Sequence, residues 1–243
     1  MKRSYLWTLL LCLMISSCTY FINTIDEGEY NVTSIDKDNF SILFSHNING
    51  ETHPCGCRHH PLGGLPQVAG VFHEIKKDSD ILYVDSGDTF FASSSIPKTL
   101  EQSLTFTGKN LARGLGMLNL SYMLIGEQDL AMGWDFLKEV QLENNFTYLI
   151  SNPSVNFPLK HKKFAVLQKG PHKIFLIALS DPSIFNEEYR RAFDSPFSAI
   201  EPIRKELKAA GYKKDSPFHR LVALTNSGLD VDTQLAKRFR ELD

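Results

Sequence analysis

Short apolar runs of strand character alternate with amphipathic helical stretches along most of the chain, and polar, glycine-containing turns recur just after the runs. Residues 41–46, 80–85, 121–125, 146–150, 173–179 and 219–225 read as strands, with an edge pair near 161–168. Residues 65–76, 100–118, 134–142, 198–210 and 229–241 carry helical spacing, as in Leu65, Val68, Val71, Phe72 and Ile75. Such alternation predicts an α/β layered domain, because each element must bury one face against a neighbour. The turns at 47–50, 86–88, 126–129 and 226–228 follow strands. In open α/β sheets, binding sites gather beyond the carboxyl ends of strands, so these four turns are the candidate site.

Composition narrows the reading. The 243 residues are 42% apolar, enough for a sizeable core and too many for a disordered chain. Twenty-six Lys and Arg against 28 Asp and Glu leave no basic excess to track phosphates, so no nucleic-acid partner is expected. Four cysteines are too few for a disulfide scaffold. The 17 phenylalanines are expected to fill the core.

The first residues read as an export signal. Lys2 and Arg3 precede an apolar run over 6–15, then Ser16, Ser17 and Cys18. The run is short for a bilayer span. The ending Ile15-Ser16-Ser17-Cys18 resembles a bacterial lipobox. Residues 1–17 are therefore expected to be a signal peptide, and Cys18 the lipidated N-terminus, with palmitate among its acyl chains. Residues 18–38 would be the tether and 39–243 the domain. Removing Lys2 and Arg3 leaves 24 basic and 28 acidic residues, a net charge of -4. The expected location is the bacterial envelope, as a lipoprotein of the outer membrane facing the periplasm or the surface, with the lipid membrane as partner through Cys18.

His53, Cys55, Cys57, His59 and His60 form the densest cluster of chemically active side chains. Their spacing is not a standard zinc pattern. Three readings stand open: a strained Cys55–Cys57 disulfide, a metal site completed by His53, His59 or His60, or a pair of inert thiols. His46, beside the first site turn, is a further candidate ligand.

Five blocks occur in order: 42–50 (Ile-Leu-Phe-Ser-His-Asn-Ile-Asn-Gly), Gly63-Gly64-Leu65, 84–88 (Val-Asp-Ser-Gly-Asp), 126–133 (Gly-Glu-Gln-Asp-Leu-Ala-Met-Gly) and 223–228 (Ala-Leu-Thr-Asn-Ser-Gly). Over residues 40–243 their order resembles the catalytic domain of periplasmic 5'-nucleotidases and related calcineurin-like metallophosphoesterases. The resemblance implies a four-layer α/β/β/α sandwich of two mixed sheets between helices. It also implies two divalent metals that bind phosphate and activate a water between them.

Matched position by position, the family's Asp-x-His falls on Asn47 and Asn49, and its bridging carboxylate on Asp88. The Asn ligand of its Gly-Asn-His-Glu falls on Glu127, the leaving-group histidine on Gln128, and a further His ligand on Asn226. The family's closing Gly-His-x-His would fall beyond Asp243, so the domain is expected to be incomplete at its C-terminal end. Neutral amides are weak ligands for transition metals. Asp88 with Glu127 would suffice for one small oxygen site, suited to Mg or Ca.

The leading expectation is a degenerate binding or structural module. Its small ligand would contain phosphate, held by Asp88, Gly126 and the asparagines. One alternative is a metal-dependent phosphomonoester hydrolase of 5'-nucleotidase type. The other is a metal or redox protein centred on the Cys-Gly-Cys loop.

Overall fold

The computed structural model describes residues 40–54, 56 and 62–242. Cys18 and its preceding signal, together with Cys55, Cys57, His59 and His60, lie outside the described residues. Lys37–Asp243 forms one compact unit.

Among the described residues, eight strands divide between two sheets. The first contains β1 (Phe40–Ser45), β2 (Asp80–Asp85), β3 (Leu120–Met123), β4 (Thr147–Leu149) and β5 (His161–Lys162), in that order. All four of its pairings are parallel, so this sheet is not mixed. The second contains β6 (Phe164–Lys169), β7 (His172–Ser180) and β8 (His219–Asn226); β6 runs antiparallel to β7, and β8 parallel to it.

Helices follow the strands: α1 (Leu65–Asp78), α2 (Glu101–Met117), α3 (Gly133–Glu143), the short α4 (Glu187–Arg190), α5 (Pro196–Ala209) and α6 (Leu229–Arg238). The edge pair expected near 161–168 is instead two strands in different sheets. The chain crosses at Lys163, whose carbonyl accepts from the Ser151 hydroxyl at 2.5 Å. The last helix also stops sooner than its apolar pattern suggests, because Phe239 leaves helical geometry and buries its ring fully.

Alternation along β7 places the sandwich. Leu176 and Ala178 join the core shared with the first sheet, while Phe175, Ile177 and Leu179 join a second core with Ile200, Ile203 and Leu207 of α5 and Leu235 of α6. Successive side chains on a strand face opposite ways, so β7 is buried on both faces. On the other flank, α2 contributes Leu111, Ala112 and Leu115, and α3 contributes Phe136, Leu137 and Val140. The order is helix, sheet, sheet, helix, as expected.

The two ends of this sandwich differ chemically. Carboxyl ends of β1, β2, β3, β7 and β8 converge at one end: Leu124 N–H donates to the Asp85 carbonyl, Ser180 Oγ to the Ile125 carbonyl, and Asn226 Nδ2 to the Ser86 carbonyl. The amino ends lie at the other: Phe40 is registered against Asp80, Lys173 against His219, and Lys169 pairs with Asp80.

Candidate functional site

The loop after β2 is the scaffold of the site. Asp85, at the end of a buried strand, accepts from Gly87 N–H at 2.8 Å, Ser45 Oγ at 2.5 Å and Thr89 Oγ1 at 2.5 Å. Burial pushes its carboxyl up to about 6, against the opposing pull of those donors and of His46. The chain then turns through Gly87 (φ 91°) and Asp88 (φ 57°). A Cβ on Gly87 would meet Gly126 N at 2.5 Å, so only glycine lets the two loops touch here.

Asp129 ties this loop to the next. Its carboxylate accepts from the N–H groups of Asp88 at 2.9 Å, Thr89 at 2.8 Å, Phe90 at 3.0 Å and Gly126 at 2.9 Å. The side chain is fully buried, and burial pushes it up to about 7 despite the Gly126 and Phe90 donors, with Asp85 and Asp88 adding repulsion. Four loop N–H groups would otherwise be buried without partners. Reading the family ligands missed Asp85 and Asp129. The available signal for Asp129 was an acid in the fourth place of the 126–129 block, where the family carries Glu.

The expected site positions on the loops after β1, β2, β3 and β8 do come together. Asn47 and Asn49 lie in the left-handed region (φ 54° and 57°), with their N–H groups on the carbonyls of Gly87 and Asp88 at 3.1 and 3.0 Å. Asp88 Oδ1 accepts from Gln128 N–H at 2.9 Å, and Oδ2 from Asn226 Nδ2 at 3.2 Å. That same Nδ2 reaches the Ser86 carbonyl at 3.2 Å. Two acceptors on one nitrogen fix which way the amide points. A Cβ on Gly126 would lie 2.3 Å from Asp88 Oδ1, so this glycine admits the Asp88 carboxylate.

Glu127 is half-buried and pushed upward by burial and then by the Asp88 charge. Asn49 Oδ1 and Gln128 Oε1 are buried without partners. His46 is exposed, with Nδ1 3.1 Å from the Gly87 carbonyl. His53 is exposed, with Nδ1 2.8 Å from Thr52 Oγ1.

This donor set does not fit a pair of dications. Each Asp88 oxygen already accepts one N–H, and Asn226 turns a donor, not a lone pair, toward Asp88. Among the described residues, no group of three His, Cys, Asp or Glu is placed to hold a metal ion. Asp88 and Asn226 are bonded to one another, and an anion placed beside them would face the Asp88 and Glu127 carboxylates.

The sequence matches no protein-family model and no curated protein. Its fold is similar to that of solved structures. The 5'-nucleotidase precursor from Thermus thermophilus superposes with a TM-score of 0.64 at 18% identity, over 81% of this chain and 39% of that one. The sulfate thiohydrolase SoxB of the same organism gives 0.68 at 15% identity, over 88% and 48%. The calcineurin-like phosphoesterase YfkN from Bacillus subtilis gives 0.59 at 15% identity, over 78% and 62%. The chain thus spans less than two thirds of each of these structures. With its two sheets between helices and its site at the carboxyl ends of the strands, the chain has the metallophosphoesterase fold of these 5'-nucleotidase and calcineurin-like structures.

Proposed function

We propose that this chain is a bacterial envelope lipoprotein whose metallophosphoesterase-like domain is a binding or structural module, not a phosphoesterase. The observation that carries the reading is the Asp88–Asn226 hydrogen bond at 3.2 Å. It joins the ends of β2 and β8 directly, at positions where the resembling family carries metal ligands. Neutral amides beside the Asp88 carboxylate leave too little negative charge to offset two dications.

The export signal and Cys18 support the anchored location. No helix among the described residues is long and apolar enough to cross a membrane. The site offers acceptors, in Asp88, Glu127 and the unpartnered oxygens of Asn49 and Gln128. That favours, as a second reading, a ligand bringing donors or one hard cation; a phosphate-containing ligand would need such a cation with it.

The test is metal analysis of the purified mature protein, paired with turnover assays on nucleotides and generic phosphoesters in Mg, Mn, Ca and Zn. No turnover above buffer is expected. Stoichiometric metal with metal-dependent hydrolysis abolished by Asp88→Ala would overturn the reading. Intact mass of protein from cell membranes reads the anchor: acylated Cys18 as the first residue is expected, and an unmodified N-terminus would reject it.

A further inference from the structure

The end of the domain opposite the site carries charge that the protein itself leaves unbalanced. Lys208, Lys213 and Lys214 line a cleft of about 610 Å³ with Tyr212 and Phe239. Lys173 lies beside them on the second sheet: its N–H donates to the Phe218 carbonyl at 2.8 Å, and Lys213 N–H donates to His219 Nδ1 at 3.0 Å. His219 reports on their proximity, since its partial burial and then Lys173 and Lys213 lower its pKa.

Among the described residues none of these four lysines forms an ion pair. The acids nearby are few. Asp215 lines the same cleft, and Glu241 is bound by Arg204, with Nε–Oε1 at 2.7 Å. Phe218, whose carbonyl accepts from Lys173 N–H, is 47% exposed and ring to ring with His172 at 5.6 Å.

The position of this patch in the fold suggests what it meets. The chain enters the domain at Phe40, the amino end of β1, and Phe40, Asp80, Lys169, His172 and Lys173 share that end. The chain preceding Phe40 thus joins the domain at the end that bears the lysines. The opposite end is acidic: Asp88 and Glu127 sit there, with Asp230 and Asp232 in the first turn of α6. A negative surface therefore attracts one end and repels the other.

We propose that this face, Lys173, Lys208, Lys213 and Lys214 around Phe218, rests on anionic phospholipid headgroups and turns the site away from the bilayer. The inference rests on the lipoprotein reading for its biological setting. Each basic residue near an anionic bilayer contributes about 1 kcal/mol, roughly a five-fold change in partitioning. An exposed apolar ring such as Phe218 can bury into the headgroup–acyl boundary while the lysines stay at the headgroups.

The experiment uses residues 37–243, which contain both cores whole. They are mixed at low salt with vesicles of phosphatidylcholine alone, or with about a quarter phosphatidylglycerol. Cosedimentation with the anionic vesicles only is expected, lost at high salt, and weakened about twenty-five-fold in the double variant Lys213→Gln, Lys214→Gln. An unchanged melting temperature would show that the variant folds.

Equal behaviour on the two vesicle types would overturn the proposal, as would undiminished binding by the double variant. Retention on heparin with no binding to either vesicle would overturn it too, marking a soluble polyanion instead. The fragment lacks Cys18, so these outcomes are independent of acylation, which the intact mass reads separately.

Discussion

At the scale of single residues, Asp129 decides whether the site loops hold together. Its two oxygens accept four N–H groups, and an amide could accept at only one end. Asp129→Asn turns an NH₂ group against two of those donors. The expected cost is about 2–4 kcal/mol, from buried groups left unsatisfied, read as a lower urea midpoint; an unchanged midpoint would remove Asp129 from the scaffold. The same residue sets a pH dependence. In the fold Asp129 is held at about 7 and Asp85 at about 6, against an ordinary value of 3.8. The folded chain thus keeps protons that the unfolded chain releases. Their favourable contribution is complete below the ordinary carboxylate range and is lost as pH rises through about 6 and then about 7. The melting temperature is expected to be higher near about pH 5 than near about pH 8, and Asp129→Asn to flatten that difference. A wild-type melting temperature that rises over this interval would contradict the assignment.

At the scale of elements, the strand and helix order was legible because the periods differ: 80–85 reads as an unbroken apolar run bounded by Asp, and 65–76 carries a helical stripe. The split of 161–169 between two sheets was not legible. One short stretch supplies both strands, and the crossing at Lys163 is set by a tertiary contact with Ser151. The site was half legible. Family blocks identified Asp88, Glu127 and Asn226 as neighbours, but ligand positions alone could not show that Asn226 would donate to Asp88. Nor could composition separate Phe175, fully buried, from Phe44, 76% exposed on the edge strand β1. The Asp88–Asn226 clasp makes its own prediction, since it joins β2 to β8. Asn226→Ala removes the donor to both Ser86 and Asp88, and is expected to cost about 1–3 kcal/mol. Asn226→Asp instead sets two carboxylates face to face. That variant, unlike the wild type, is expected to gain melting temperature when Ca or Mg is added, because a cation relieves the repulsion and binds only the fold. Equal metal responses would mean that the clasp does not govern cation affinity.

At the scale of the whole molecule, the question is whether four layers melt as one. The two cores share β7 and β8, whose side chains alternate between them, so losing either sheet strips one buried face from the other. Trp134 is the one tryptophan of 40–243, and it packs in the shared-core region against Phe157 at 5.6 Å and Tyr189 at 5.7 Å. Phe239 belongs to the other core, beneath α5 and α6, and is fully buried. Phe239→Ala is expected to cost about 3–5 kcal/mol through lost burial and the cavity left behind. If the layers unfold together, this change lowers the urea midpoint seen by Trp134 fluorescence as much as that seen by far-ultraviolet circular dichroism, although the mutated ring lies in a different core. A Trp134 midpoint that stays in place while the circular dichroism midpoint falls would show that the α5–α6 layer comes away on its own. In that case Asn226, at the end of β8, would lose its support first, and the clasp at the site would open before the first sheet unfolds.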